Sequence, residues 1–600
     1  MIFWFKEIKK HNVPILISLL IGIIFLLSQV LPMFAIGDSF DGVQFLYQDD
    51  DYLYLAHIKD IVDGHFKSSS PVFFEYKDAV PVMFPFVYYF YALPTLLLGI
   101  PLLVTILLSK AFLPAVAFFL AYYLSLKMMS GVDIFYKKIS AVATGLLVVF
   151  AYDIVNPINL ISIFSSFGEN FYQSPLLRLV NPVSGLVLLL TSFILLWHFH
   201  KKDYKKNYKK IIATASLFFV MSGYIFSYAI SLTALVLLIL LSVYKKHFTK
   251  VRGLIFIFIV AILPFLYQFM ISLNSEDGNS SALKMGLFYT HEILFNTFLI
   301  VFVILFITSS SYLAISRKYK NLYKDKSWQF LAIIFLSLII VYSQQLITGM
   351  TVWPFHFVQY SVPLIYIAFV VFLHNFVLPC SKKIWQVVII GIFFITCTLA
   401  GSYLFNFNVV LKDFLSQQEY GNFFEWVEKN ANSECVFLVV ENERKNLDEK
   451  IPAYTKCNVY YSEYVFFGVP DERIEYNYFS HLKIKGVNIQ NFDEYVSKNE
   501  TQFRNVFFEE WTQKFSDKND SWLVKIRNDE EIQKWKRNKI SYLKSEYSKF
   551  YLEEDFKVQL SEYKLDYVVW NKENFPKWQY ENFSFLEKKY EDETVVIFSL

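Results

Sequence analysis

Long apolar runs constrain this chain more than any other feature. They recur from "PILISLLIGIIFLLSQVLPMFAI" (14–36) to "IWQVVIIGIFFITCTLAGSYLF" (384–405). About 20 apolar residues suffice to cross the hydrocarbon of a bilayer, so residues 1–405 read as a mainly α-helical, polytopic membrane domain. Residues 406–600 are dense in charge and read as one soluble domain. The first run is too long for a signal-peptide core and lacks a small-residue cleavage site, so it reads as a retained anchor. A net charge of +3 over 600 residues gives no reason to expect nucleic acid as a partner. The four cysteines form no CxxC or Cys/His cluster, which argues against structural zinc.

Lys and Arg in short loops mark the cytoplasmic face. "FKEIKKH" at the N-terminus, Lys127, Lys137, Lys138 and the basic clusters at 201–210, 245–252, 316–326 and 381–383 define that face here. The loop at about 37–80, with Asp38, Asp41, Asp49, Asp50, Asp51, Asp60 and Asp63, then lies outside. For the parity to close, the stretch 81–99, broken by Pro81, Pro85 and Pro94, lies flat on the outer surface. The run 211–244 must be a hairpin that turns outside near 222–224. The expectation is about eleven transmembrane helices, N-terminus inside and C-terminal domain outside. A transporter or flippase of lipid-linked glycans would want ionisable residues within the spans and internal repeats, and neither is evident. A non-catalytic membrane scaffold would leave the acidic trio at 49–51 without a purpose.

That trio sits in "YQDDDYLYLAHIKDIVDGHF" (47–66). Leu55, Ile58, Ile61, Val62 and Phe66 recur at helical spacing, with Lys59, Asp60 and Asp63 on the other side, so a short amphipathic helix follows the aspartates. One carboxylate is enough to cap a helix N-terminus; three adjacent ones repel unless a cation or a hydrogen-bond donor compensates them. A divalent cation (Mg or Mn) on Asp49 and Asp51 is one such compensation.

A cytoplasmic N-terminus, a first span, an external loop opening on an acidic pair and a juxtamembrane helix ending in Gly resemble the GT-C membrane glycosyltransferases. Protein O-mannosyltransferases and aminoarabinose transferases belong to that superfamily. "YLYLAHIKDIVDGH" fits the family's pattern, and Asp49 stands about fifteen residues before Gly64, the family's position for the catalytic base. The stretch 81–99 resembles the second juxtamembrane helix. The resemblance implies a transferase (EC 2.4.-.-) in a bacterial inner (plasma) membrane. It would move a sugar from a polyprenyl-phosphate donor to an extracytoplasmic acceptor: protein, lipid or cell-envelope glycan. Asp49 would be the general base, with Asp50 beside it orienting the acceptor or a cation. Asp153 and Glu169 would be candidates for the acceptor or second acid. The lipid phosphate needs positive charge or hydrogen-bond donors. Arg178, in "SPLLRLVNPVSG", is the leading candidate, followed by Lys77 and His356. Arg178 as a snorkelling anchor and His356 as a satisfied interfacial histidine stand as alternatives. The chain departs from the family at 83–85, where Met-Phe-Pro replaces a Lys-Pro, and at 356–360, where His and Gln-Tyr replace an Arg-Tyr.

The C-terminal domain, 406–600, reads as α/β. "QQEYGNFFEWVEKNA" is helical, and "CVFLVVENE", "IPAYTKCNVYYS", "LDYVVWNKENF" and "ETVVIFSL" contain strands, with a charged helical insert at about 500–550. Cys435 and Cys457 each begin a strand segment, and either a disulfide or two buried thiols satisfies the pattern.

Overall fold

The computed structural model describes residues 10–46, 49–81, 84–131, 133–151, 174–201, 208–274, 287–289, 291, 297–315, 324–352, 354–441, 447–463, 468–507, 529–553 and 555–600. Asp153, Glu169 and most of the 274–292 loop lie outside the described residues.

The membrane half runs α1 (Asn12–Ile36), α2 (Asp49–Val62), α3 (Phe86–Leu98), α4 (Leu102–Met128), α5 (Ile134–Phe150), α6 (Val183–Lys201), α7 (Tyr208–Met221) and α8 (Ile225–Tyr244). It continues with α9 (Phe248–Asn274), α10 (Thr297–Ile315), α11 (Lys326–Tyr342), α12 (Val358–Phe372) and α13 (Lys382–Phe405). A short antiparallel pair, β1 (Leu287–Tyr289) with β2 (Met350–Val352), lies between. Among the described residues, seven helices are long and apolar enough to cross a membrane: α1, α4, α6, α8, α9, α12 and α13. The other four expected spans are α5, α7, α10 and α11, helices of 17, 14, 19 and 17 residues.

Two local expectations meet clear backbone events. The run 211–244 breaks at Ser222, Gly223 and Tyr224 into α7 and α8. Helix α3 is a separate element of 13 residues, starting after Pro85 and stopping at Gly99. At 1.5 Å per residue it reaches about 20 Å, short of the roughly 30 Å hydrocarbon core.

Helix α2 is amphipathic as its spacing implies, with Tyr52, Leu55, Ala56, Ile58 and Ile61 buried. Two members of the pattern differ. Phe66 is exposed, because the helix ends at Val62 and Gly64, at φ +109°, turns the chain away before Phe66 is reached. Asp60, assigned to the polar face, is buried. Both sides of α2 are covered: membrane helices beneath, and the C-terminal domain above.

That domain begins with α14 (Leu411–Gln418) and α15 (Gly421–Asn430). Its sheet has the order β4 (Asn458–Val459), β3 (Val436–Val440), β5 (Tyr567–Asn571), β7 (Val595–Ser599), β6 (Glu587–Glu591). β4, β3 and β5 are parallel, whereas β7 is antiparallel to both β5 and β6. A disulfide joins Cys435 to Cys457 at the starts of the two neighbouring strands. The segment "IPAYTKCNVYYS" is mostly not strand. Its first residues complete α16 (Leu447–Tyr454), since Leu447 and Ile451 bury one turn apart, and β4 keeps two residues. Strand β6 escapes sequence reading because "EKKYE" is a charged edge strand with little alternation. In the 500–550 region the described helices are α19 (Glu500–Val506) and α20 (Asp529–Leu552), after α17 (Asp471–Ile484) and α18 (Phe492–Lys498).

The segment after α2 is threaded into this domain. The Val459 N–H donates to the Val72 carbonyl (2.9 Å), and Asn458 Nδ2 donates to the Pro71 carbonyl (2.9 Å). Val72 and Phe73 join the hydrophobic clusters on the two faces of the sheet. Arg473 is buried among Tyr563, Tyr460 and Phe73 and reaches Glu75 at 3.3 Å. Helix α16 packs along α2. Lys450 lies over the Tyr52 ring, 5.4 Å from its centroid, and the Tyr454 hydroxyl donates to the Gln44 carbonyl at 3.0 Å.

Candidate functional site at the start of helix α2

A helix turns each successive side chain by about 100°, so adjacent aspartates must face different surroundings. Asp51 points inward and is fully buried, and its Oδ1 accepts the Leu179 N–H at 2.9 Å. Its Oδ2 has no hydrogen-bond partner among the described residues. Burial raises the Asp51 carboxyl from the ordinary 3.8 to about 6, while the nearby Lys110 pulls the other way. Asp50 faces outward and pairs with Arg178. The backbone of Asp49 opens the helix; its side chain lies outside the described ones.

Arg178 reaches this point through its own local sequence. A one-turn 3-10 helix, Pro175–Leu177, is capped by Ser174, whose Oγ accepts the Leu176 N–H at 3.3 Å. Leu176, Leu177, Leu179 and Val180 are all buried, which fixes the segment and leaves Arg178 to extend toward Asp50. Arg178 Nε has no partner among the described residues. Burial opposes the guanidinium charge, and Asp50, Tyr54 and Asp51 together more than offset it, so the group titrates above its ordinary value. Asn181 Nδ2 donates to the Tyr54 hydroxyl (2.9 Å), and Tyr54 sits one turn beyond Asp50. Burial, reinforced by Asp50, holds that phenol protonated.

His356, in a short 3-10 turn at Pro354–Phe357, stacks on Phe226 with ring centroids 4.9 Å apart. Burial and then the Arg178 charge push its imidazole down to about 3, so it is neutral at physiological pH. Helix α12 behind it comes close to α6 because Gly185 has no side chain: a Cβ there would lie 2.5 Å from the Tyr360 hydroxyl.

An apolar cavity of about 300 Å³ lies among α3, α4 and α6. Pro94, Leu108, Phe112 and Leu188 line it, with Tyr91 and Ser184 as polar wall. The Tyr91 hydroxyl donates to the Leu179 carbonyl at 3.2 Å and lies 3.3 Å from Ser184 Oγ. One residue, Leu179, therefore joins the cavity wall to Asp51 and adjoins Arg178. Leu108 and Phe112 are 49% and 65% exposed, so the cavity opens on the lipid-facing side of α4.

The structure thus gathers Asp50, Asp51, Arg178 and His356. Lys77 is elsewhere: it is buried near Asp60, ten residues or about 15 Å further along α2. Lys110, which the sequence gives little reason to choose, is buried in α4, donates to Gln29 of α1 at 2.9 Å, and places its charge near Asp51. Its signal was a lone ionisable residue inside an apolar run. Asn181 and the Leu179 N–H carry no such mark.

Of the two carboxylates read as cation ligands, Asp49 has its side chain outside the described residues. A guanidinium already faces Asp50, a backbone N–H occupies Asp51 Oδ1, and no group of three His, Cys, Asp or Glu converges among the described residues.

No protein-family model matches the chain, and no curated protein matches it in sequence. Among solved structures it is similar to ArnT from Cupriavidus metallidurans, crystallised bound to undecaprenyl phosphate. The identity is 10%, over 99% of this chain and 98% of that one, with a TM-score of 0.46. It is also similar to the Archaeoglobus fulgidus oligosaccharyltransferase in the apo form. There the identity is 12%, over 95% of this chain and 70% of that one, with a TM-score of 0.42.

Proposed function

We propose that this protein is a GT-C-type membrane glycosyltransferase that transfers a sugar from a polyprenyl-phosphate donor to an extracytoplasmic hydroxyl. One observation carries the reading. Asp50 and Arg178, 128 positions apart in sequence, meet at the start of α2, next to an apolar cavity that opens toward lipid. An acid, a cation and an apolar slot are what a carboxylate base, a phosphate leaving group and a prenyl tail require.

In this reading the donor phosphate lies against Arg178 and the first prenyl units enter the cavity between α3, α4 and α6. The acceptor oxygen bonds to the anomeric carbon as its proton passes to Asp49. The bond from that carbon to the phosphate oxygen breaks, and polyprenyl phosphate leaves with the electron pair. Arg178 stabilises the added charge, and Asp50 holds Arg178 in place. Neutral His356 supplies a hydrogen bond and no competing charge. The acceptor is a protein, lipid or envelope glycan, and the C-terminal domain covers the site on the outer side of a bacterial plasma membrane. About eleven crossings with an internal N-terminus produce that orientation.

The test uses purified protein in proteoliposomes with polyprenyl-phosphate sugars and envelope acceptors. Wild type should release polyprenyl phosphate. Asp49→Asn should slow release by about 10²- to 10⁴-fold with an unchanged melting temperature. Equal turnover by the variant would remove Asp49 as base, and cysteine labelling that put residues 49–51 in the cytosol would remove the whole reading.

A further inference from the structure

Asp51 Oδ2, Arg178 Nε and Asn181 Oδ1 are among the buried polar atoms that lack a hydrogen-bond partner among the described residues. They belong to two short stretches laid against each other. Asp50, Asp51 and Tyr54 come from the first turns of α2, and Arg178, Leu179 and Asn181 from the approach to α6. Three contacts lock the stretches together: Asp50 with Arg178, Asp51 with the Leu179 N–H, and Tyr54 with Asn181 Nδ2. Asp51 is 0% and Asn181 4% exposed, so bulk water does not satisfy their second oxygens.

A buried acceptor left unmade costs about 1–3 kcal/mol, a cost that a ligand or water donating to Asp51 Oδ2 and Asn181 Oδ1 would remove. The chemistry of the trio restricts what could do so. Two acceptors call for a molecule with at least two O–H or N–H donors. One cationic N–H donor calls for an anionic or strongly polar acceptor on the same molecule. Polyprenyl phosphate without its sugar offers no such pair of donors, whereas a sugar joined to a phosphate offers both kinds of group.

We propose that Asn181 is a specificity-determining residue for the donor sugar. Its Oδ1 accepts from a sugar hydroxyl or amine while Arg178 Nε donates to the phosphate and Asp51 Oδ2 takes a second sugar donor. The proposal rests on the glycosyltransferase reading above and assigns the sugar to one wall of that site. Asn181 holds this position through its other amide atom: the Nδ2 bond to Tyr54 fixes the side chain, which leaves Oδ1 as the recognising atom.

The experiment measures binding of two probes to the full chain in nanodiscs: bare polyprenyl phosphate, and polyprenyl phosphate carrying a single sugar, drawn from a panel of neutral and amine-bearing sugars. For the sugar that wild type prefers, Asn181→Ala should lower affinity about tenfold or more, with bare polyprenyl phosphate bound as before. Asn181→Asp, which keeps an acceptor oxygen, should restore most of the loss. Equal weakening of both probes by Asn181→Ala would make Asn181 a packing residue and overturn the inference while leaving the glycosyltransferase reading intact. An unchanged preference for the sugar-bearing lipid would overturn it as well. Failure of wild type to bind either lipid would bring down the functional reading, and the inference with it.

Discussion

The two ends of helix α2 use the same residue types for opposite purposes. At its start, Asp50 and Asp51 meet Arg178 and the Leu179 N–H from the membrane half, and polar atoms remain for something else to occupy. At its end, the charges answer one another. Lys59 reaches Asp63 at 2.7 Å, and Asp60 lies in the field of Lys77. His65 touches Asp78 at 3.0 Å and Glu434 of the C-terminal domain at 3.2 Å. His57 is likewise held, with Nδ1 2.9 Å from Ser68 Oγ and its ring stacked on Tyr88. The end of the helix is a docking joint, and the start is the candidate site. Each end keeps one buried carboxylate oxygen without a hydrogen-bond partner among the described residues, Asp51 Oδ2 and Asp60 Oδ2. What separates them is that the start of α2 meets the approach to α6, whereas its end meets its own loop and the C-terminal domain.

The largest expected effect tests the start. Arg178→Lys keeps a positive charge but loses the planar fork and the Nε donor, so turnover should fall about 10²- to 10³-fold with little change in melting temperature. A loss of fold without a specific loss of turnover would make Arg178 an anchor.

Next comes a pH signature. The Asp51 carboxyl titrates at about 6 in the folded chain against an ordinary 3.8. Between those values the folded state holds a proton that the unfolded chain has released, so this residue lowers stability as pH rises from about 4 to 6. At 1.36 kcal/mol per pH unit the difference is about 3 kcal/mol. Asp51→Asn should remove that contribution, and denaturant titrations at pH 4 and pH 7 compare the two proteins directly. A variant with the same pH slope as wild type would show that Asp51 is not buried as described.

The end of the helix should respond in stability. Lys77→Met leaves buried Asp60 without its nearest cation and should cost about 2 kcal/mol in unfolding free energy, with the turnover of the folded fraction retained. A Lys77→Met protein that folds normally and no longer binds polyprenyl phosphate would return Lys77 to the lipid-phosphate role that its sequence position suggested. The smallest effect belongs to Lys59→Ala, which removes an i,i+4 pair and should change stability by a few tenths of a kcal/mol.

Much of the candidate site was legible because its signals are local. Three aspartates before an amphipathic segment, and one arginine just before a span, stand out in a chain whose apolar half has few charges. The place of Lys77 was not legible, because its burial near Asp60 exists only after the loop has packed against α2. The edge strand β6 and the shortened β4 were missed because a charged edge and a two-residue strand leave no periodicity to find.

The sequence by itself determined that the chain enters a membrane repeatedly, that a separate α/β unit follows, and that acids collect at the start of α2. Each of those depends on the solvation preference of side chains taken a few at a time. Tertiary structure alone decided that Arg178 faces Asp50, that Asn181 and Leu179 close on the same turn of helix, and that Val72 and Phe73 are threaded into the distant sheet. Those contacts join residues more than a hundred positions apart, and their energies exist only after packing has excluded water and brought the partners within hydrogen-bond reach.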